Sequence, residues 1–148
     1  MAFDGFTTAA VTYELSEKLA GGYISKIIQP EHDELLITVK TQTGNYRLLL
    51  SANPSLPLAN ITSSNKQAPM TAPNFCMLLR KHLGGGRISS IVQPSLERII
   101  VFTIDHRNEL GDPCSKRLII ELMGKHSNII FTDTDDMILD SIRRFPDI

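Results

Sequence analysis

The chain has 148 residues, 42% hydrophobic and 21% charged, with a formal net charge of −1. This is globular composition in one domain-sized length, which excludes a disordered, collagenous or fibrous chain and leaves room for a core. Two cysteines, Cys76 and Cys114, are too few for a disulfide scaffold and lack metal spacing, so a reducing cytoplasm is the expected setting.

In chain order, Asp4 is placed to cap a helix whose apolar residues Phe6, Ala10, Val11, Leu15 and Leu19 fall near helical spacing. Gly21 and Gly22 end it. Ile24 to Ile28 and Leu35 to Val39 read as a hairpin with its turn at Pro30 to Asp33, followed by a Gly44-Asn45 turn and a strand over Tyr46 to Leu50. Ala52 to Ala72, rich in Pro and Ser, connects two halves and holds one short strand near Ala59 to Thr62. Pro73 opens a second helix that runs to Leu83, where Gly84 to Gly86 stop it. Strands follow at Arg87–Gln93 and Leu96–Asp105, then a polar loop from His106 to Cys114. Arg117–Met123, Asn128–Thr132 and Met137–Asp140 complete the strands.

The order repeats because the sequence repeats. A shift of 64 positions lays Leu19–Pro30 over Leu83–Pro94 with eight of twelve residues identical. Two copies are too few for a solenoid, so two halves, about 1–62 and 71–140, about a pseudo-twofold axis are expected. Two helices and eight or nine antiparallel strands predict an α+β fold, a two-layer antiparallel β-sandwich with flanking helices, internally duplicated, within a single domain.

Charge is balanced but unevenly placed. Leu35 to Leu96 holds no Asp or Glu, only the cations Lys40, Arg47, Lys66, Arg80, Lys81 and Arg87. Acids outnumber cations by four in residues 1–34 and by three in residues 97–148. One basic and one acidic face would follow if these cations gather, as would an attraction for phosphate; scattered cations are the plain alternative. No Trp and only nine Phe and Tyr argue against a surface built on aromatic stacking.

No phosphate loop, nucleophile elbow or metal motif is present, so neither catalysis nor a cofactor is expected. Gly84 to Gly86 follow a helix rather than precede one, the wrong end of the dipole for an anion. His32, His82, His106 and His126 are scattered on or near turns and read as surface residues. Three features carry more. Arg80 and Lys81 suit both a helix C-terminus and a phosphate contact. The Gly124 turn gathers Lys125, His126, Ser127 and Asn128, which can contact sugar and phosphate or form a plain solvated hairpin. Glu97 and Arg98 open a strand, where Arg98 offers a planar fork to phosphate or closes an ordinary strand-end ion pair.

Four stretches together, Met1–Phe6, Pro73–Leu83, the strand pair from Arg87-Ile88 to Arg98-Ile99, and Glu121–Ile130, carry a resemblance over essentially the whole chain. The sequence resembles the N-terminal domain of the NFACT family, also named fibronectin-binding protein A-like proteins. The resemblance implies ribosome quality control. Its members bind large ribosomal subunits (rRNA) that carry a stalled nascent chain on tRNA. They recruit tRNA and promote untemplated C-terminal tailing, with alanine in bacteria. It also implies a fold like the N-terminal domain of formamidopyrimidine-DNA glycosylases. Those use an N-terminal proline amine, whereas Ala2 and Phe3 stand here, so glycosylase chemistry is not expected. Family residues for tailing and tRNA engagement map to Asp4 and to an Asp-Arg pair that reads Glu97-Arg98 here. The family continues beyond this domain, so a fragment of a longer protein is expected. The resemblance thus implies an RNA-contacting domain, with Arg80, Lys81, Arg87, Arg98 and the Lys125–Asn128 turn positioning tRNA and rRNA while the ribosome does the chemistry. An adhesin that binds fibronectin, as the older family name suggests, is the rival; the sequence offers no secretion signal, anchor or membrane-spanning run for it.

Overall fold

The computed structural model describes residues 4–144. Helix α1, Gly5–Leu19, opens on Asp4, whose carboxylate accepts the Thr7 N–H at 2.7 Å. Its buried stripe is Thr8, Thr12, Leu15 and Leu19. The two threonines are accommodated because their hydroxyls donate to the Asp4 and Thr8 carbonyls at 2.6 and 2.7 Å. Strands β1 (Tyr23–Glu31), β2 (Glu34–Thr41), β3 (Gly44–Ser51) and β4 (Leu58–Thr62) follow. Helix α2, Asn74–Leu83, buries Phe75, Cys76, Leu79 and Leu83, and leads into β5 (Arg87–Val92), β6 (Ile99–Arg107), β7 (Pro113–Glu121), a single 3₁₀ turn at Gly124–His126, β8 (Asn128–Asp133) and β9 (Ile138–Ser141).

The nine strands form one antiparallel sheet in the order β4-β3-β2-β1-β5-β6-β7-β8-β9. The fold is therefore α+β, with two helices on an antiparallel sheet. The expected pair of separate sheets is corrected to one continuous sheet that curls, because β3 touches β8. What joins the halves is the meeting of β1 and β5 at Tyr23 and Arg87. Four backbone bonds flank that pair: Gly21 N–H to Ile88 O, Gly85 N–H to Ile24 O, Ile24 N–H to Gly86 O and Ile88 N–H to Gly22 O, all 2.7–2.8 Å. They form two pairs related by the 64-residue offset. Gly21 and Gly85 take φ of +87° and +78°, open to glycine at little cost. A Cβ on Gly22 would lie 2.6 Å from a Val39 methyl, and one on Gly86 2.7 Å from an Ile104 methyl. Both strands also shift register at the equivalent place, after Ile24 and after Ile88, with Ser25 and Ser89 hydroxyls bonded to the Thr38 and Thr103 carbonyls at 3.2 Å.

One core holds both halves. It runs from Leu15 and Leu19 through Leu35, Leu48 and Leu50 to Leu79, Leu83, Ile100, Phe102, Leu118, Ile120 and Phe131, all almost fully buried. Each such side chain contributes about 1.5–3 kcal/mol by leaving water. The helices cross over: α1 packs on β5 and α2 on β1.

Three local expectations are corrected. Glu97 and Arg98 do not open a strand, because the turn after β5 extends to Arg98 and β6 starts at Ile99. The turn after β2 falls on Gln42-Thr43 rather than Gly44-Asn45, since the Thr41 hydroxyl accepts the Thr43 N–H and donates to the Gly44 carbonyl. The polar loop shrinks to 108–112 because His106 pairs with Cys114, and Arg107 with Pro113, across β6 and β7.

Candidate nucleic-acid interface

The start of α1, the turn after β5, the start of β6 and the end of β7 meet at one end of the sheet. Gln93 is the clamp: its Nε2 donates to the Gly5 carbonyl at 2.8 Å and to the Glu97 carbonyl at 2.7 Å. Gly5 lies so close to the turn that a Cβ there would collide with the Leu96 carbonyl oxygen. Asp4 is thereby carried beside the Glu97-Arg98 turn. The Arg98 carbonyl accepts the Leu122 N–H at 2.8 Å, one step beyond the Ile99–Glu121 pair, and Lys125 and His126 lie just past Leu122. Asp4, Glu97, Arg98, Lys125 and His126 are all exposed. The Thr7 backbone N–H holds the Asp4 carboxyl below its usual value, so it is an anion at neutral pH.

Ser127 and Asn128 play a different part from the outward contact expected of them. Both are buried. The Ser127 Oγ accepts the Met123 N–H at 2.9 Å. Asn128 accepts the Ile129 and Arg143 N–H groups and donates to the Arg143 carbonyl. The Arg143 guanidinium in turn donates to the Ser127 and Lys125 carbonyls at 2.7 and 3.0 Å. These two residues shape the turn that presents Lys125 and His126.

The acid-free stretch does not gather into one face. Arg87 sits at the opposite end of β5 from the Arg98 turn, about 20 Å along the strand. Arg80 donates through Nε to the Ile27 carbonyl at 2.7 Å, which ties α2 to β1. Lys81 pairs with Glu109 at 3.3 Å. Arg47 and Lys66, with Lys26, surround a groove of about 480 Å³ on the outer side of β1–β4, floored by Ile28 and Leu36. Lys66 also pairs with Glu34 at 2.8 Å. The cause is topological: Arg80 and Lys81 stand at the C-terminal end of α2, Lys66 follows β4, and Lys40, Arg47 and Arg87 lie on the outer face of separate strands, so closeness in sequence does not become closeness in space.

Two features escaped the sequence reading. Glu121 is half-buried at the Arg98 end, and burial raises its carboxyl above the usual range. The only signal was its place at the head of the Glu121–Ile130 stretch. His82 and His106 are not the scattered surface residues their spacing suggests: both are partly buried, with ring centroids 6.4 Å apart. Among the described residues, no group of three or more His, Cys, Asp or Glu is arranged to hold a metal ion. Met1 to Phe3, on which the glycosylase comparison rests, lie outside the described residues.

Residues 4–147 match the family described as NFACT N-terminal and middle domains. The chain belongs to the NFACT family. A curated relative, Rqc2 homolog RqcH of Bacillus subtilis, is 45% identical over 144 residues, which is 97% of this chain and 25% of that protein. Rqc2 homolog RqcH of Streptococcus pneumoniae is 41% identical over 133 residues, 90% of this chain and 24% of that protein. The NFACT chain described here thus spans about a quarter of the length of these relatives. Among solved structures, the N-terminal domain of fibronectin-binding protein PavA from Streptococcus pneumoniae superposes with a TM-score of 0.95 at 38% identity, covering 99% of this chain and 56% of that one. The fibrinogen binding protein from Staphylococcus aureus superposes with a TM-score of 0.87 at 36% identity, covering 99% and 52%. None of the described helices of this NFACT chain is long and apolar enough to cross a membrane.

Proposed function

We propose that this domain contacts RNA in a cytoplasmic ribosome quality control factor that binds stalled large ribosomal subunits and tRNA and promotes C-terminal alanine tailing of the nascent chain. The ribosome forms the peptide bonds, and the domain positions tRNA and rRNA without catalysis of its own. The observation that carries this reading is the convergence of Asp4, Glu97, Arg98 and the Lys125 turn on one exposed end, through the Gln93 clamp. Arg98 supplies a bidentate fork for phosphate, and Lys125 a point charge beside it. Asp4 and Glu97 set the acidic flank that fixes register. Glu97, one methylene longer than the family Asp, keeps the charge. The alike halves are read as an internal duplication, and the likeness to formamidopyrimidine-DNA glycosylases as one of fold alone.

The test is tRNA binding by the full-length protein over a salt series. Affinity falls as salt rises, and Arg98→Ala weakens it and lowers the magnitude of the salt slope by about one. Unchanged affinity and slope in Arg98→Ala would remove Arg98 from the interface. Solved relatives named for fibronectin or fibrinogen binding favour a second reading as an adhesin. Labelling of intact cells separates the two, since an adhesin is labelled at the surface and a ribosome factor is not.

A further inference from the structure

The end of the sheet remote from Arg98 holds a second cluster. Lys116 on β7 pairs with Ile104 of β6, and Cys114 pairs with His106. With the two-residue period of a strand, Lys116 and His106 share the core-facing side with Ile104 and Phe102. His82, from the last turn of α2, tilts over Phe131 at 5.8 Å and meets His106 edge-on at 6.4 Å. A cavity of about 450 Å³ opens among Lys81, His82, His106, Glu109, Leu110 and Lys116.

Charge is unbalanced there. Burial first, then Lys116, Lys81 and His106, hold the His82 imidazole below its ordinary pKa, against the charge of Glu109. Burial and Lys116 do the same to His106, against the bond to the Arg107 carbonyl and the Asp105 charge. The carboxylates nearby are engaged. Glu109 pairs with Lys81. Asp133, opposite Lys116 on β8, accepts the Asp135 and Met137 N–H groups. Asp105 lies on the other face of β6 and accepts the Ser115 hydroxyl at 2.6 Å. Arg107 donates to the Gly111 carbonyl at 2.8 Å. Cys114 Sγ rests 3.3 Å from His106 Nε2. Lys116 has no hydrogen bond or ion pair among the described residues. A lysine directed inward beside two imidazoles, with no carboxylate bonded to any of the three among the described residues, leaves room for an anion.

We propose that this mouth is a phosphate-binding site, in which Lys116 and a ring N–H of His82 hold the anion's oxygens and the His106 ring, held by the Arg107 carbonyl, lies beside them. The site lies apart from the Arg98 end and stands whether or not that end contacts RNA. Binding draws protons onto the imidazoles, because the bound anion favours their charged form. Affinity for an anion of fixed charge therefore rises as pH falls.

The experiment is an NMR titration of the 148-residue chain, following the His82 and His106 ring signals at pH 7.5 and 5.5. Sulfate, whose charge does not change over that range, is the probe for pH dependence. Inorganic phosphate and a 5′-phosphorylated trinucleotide, with its unphosphorylated twin, identify the source. Sulfate moves both rings and binds about tenfold or more tightly at pH 5.5. Lys116→Met removes the response, Lys116→Arg retains it, and Lys125→Ala at the far end leaves it unchanged. Tighter binding of the phosphorylated trinucleotide than of phosphate assigns an RNA phosphate, and the reverse order assigns a small free anion. Ring signals that do not move with any probe, or that move equally in a folded Lys116→Met, overturn the site.

Discussion

The two halves are alike, bond for bond, where they meet, and they differ where they end. At the joint, Gly21-Gly22-Tyr23 and Gly85-Gly86-Arg87 share four backbone bonds in two equivalent pairs, and Gly22 and Gly86 are both closely approached. At the far end of β1, Gln29 bonds only the His32 carbonyl across a short turn, and its Oε1 is buried without a partner. At the far end of β5, Gln93 spans a longer turn and reaches the first residue of α1. The helices explain the difference: α1 has fifteen residues and reaches that turn with a capped, acidic start, whereas α2 has ten and opens on Pro73 with no side-chain cap. The shared joint is the scaffold, and the candidate interface lies where the likeness stops.

The sharpest way to break the joint is to add a methyl group to one side of it. In Gly86→Ala the new Cβ meets the Ile104 methyl at 2.7 Å and two backbone oxygens, of Leu83 and Asp105, at 3.0 and 3.1 Å. In Gly22→Ala it meets two side-chain methyl groups, of Val39 and Thr41, and one backbone oxygen, of Leu19. Side chains yield more readily than backbone. Denaturant unfolding should show a loss of about 2–4 kcal/mol for Gly86→Ala and a smaller loss for Gly22→Ala. Equal or negligible losses would mean that the joint is looser than its geometry implies.

The joint was legible in the sequence because it depends on residue types with few alternatives. A Gly-Gly pair after a helix, an Ile at the same offset and a Gln-Pro at the strand end recur 64 residues apart. The helices and most strands followed from periodicity. The single sheet did not, since no local pattern tells whether halves of four and five strands stack face to face or join edge to edge through Tyr23 and Arg87. The candidate site was legible in part. Asp4 and the Glu97-Arg98 pair came from the family resemblance and Lys125 from its own turn, and it is Gln93 and the Leu122–Arg98 backbone bond that bring them together. The single basic face does not form because linear charge density does not tell a helix end from a strand, and Arg80 and Lys81 are drawn off to the Ile27 carbonyl and to Glu109. Lys116 has no signal of its own in the sequence, as it stands in a strand whose pleat turns it inward.

The asymmetric end can be opened without touching a charge. Gly5→Ala drives a Cβ into the Leu96 carbonyl oxygen and should pry the start of α1 from the 94–98 turn. Amide exchange there should quicken, and tRNA binding by the full-length protein should fall as it does in Arg98→Ala. Retained binding would separate Asp4 from the work of Arg98. Gln93→Leu is the milder version. It leaves the Gly5 and Glu97 carbonyls without their donor, a loss of about 1–2 kcal/mol. Gln29→Leu forfeits one bond but removes a buried unpaired oxygen, so thermal unfolding should register a smaller change there.

The smallest effect distinguishes the two helix starts by pH. The Thr7 backbone bond holds the folded pKa of Asp4 below its ordinary value. Such a group stabilises the fold above its unfolded pKa, and the contribution fades as pH falls through the lower, folded value. Amide protection at Thr7 and Thr8 should therefore decline as pH falls below the ordinary carboxylate range, whereas the first turn of α2, which has no side-chain cap, should show no step of that origin. Asp4→Asn keeps an acceptor for the Thr7 N–H and cannot titrate, so the α1 step should vanish while the helix start stays ordered. A step that survives Asp4→Asn, or one that appears equally in both helices, would place the acid sensitivity in the shared core rather than at the end where the halves diverge.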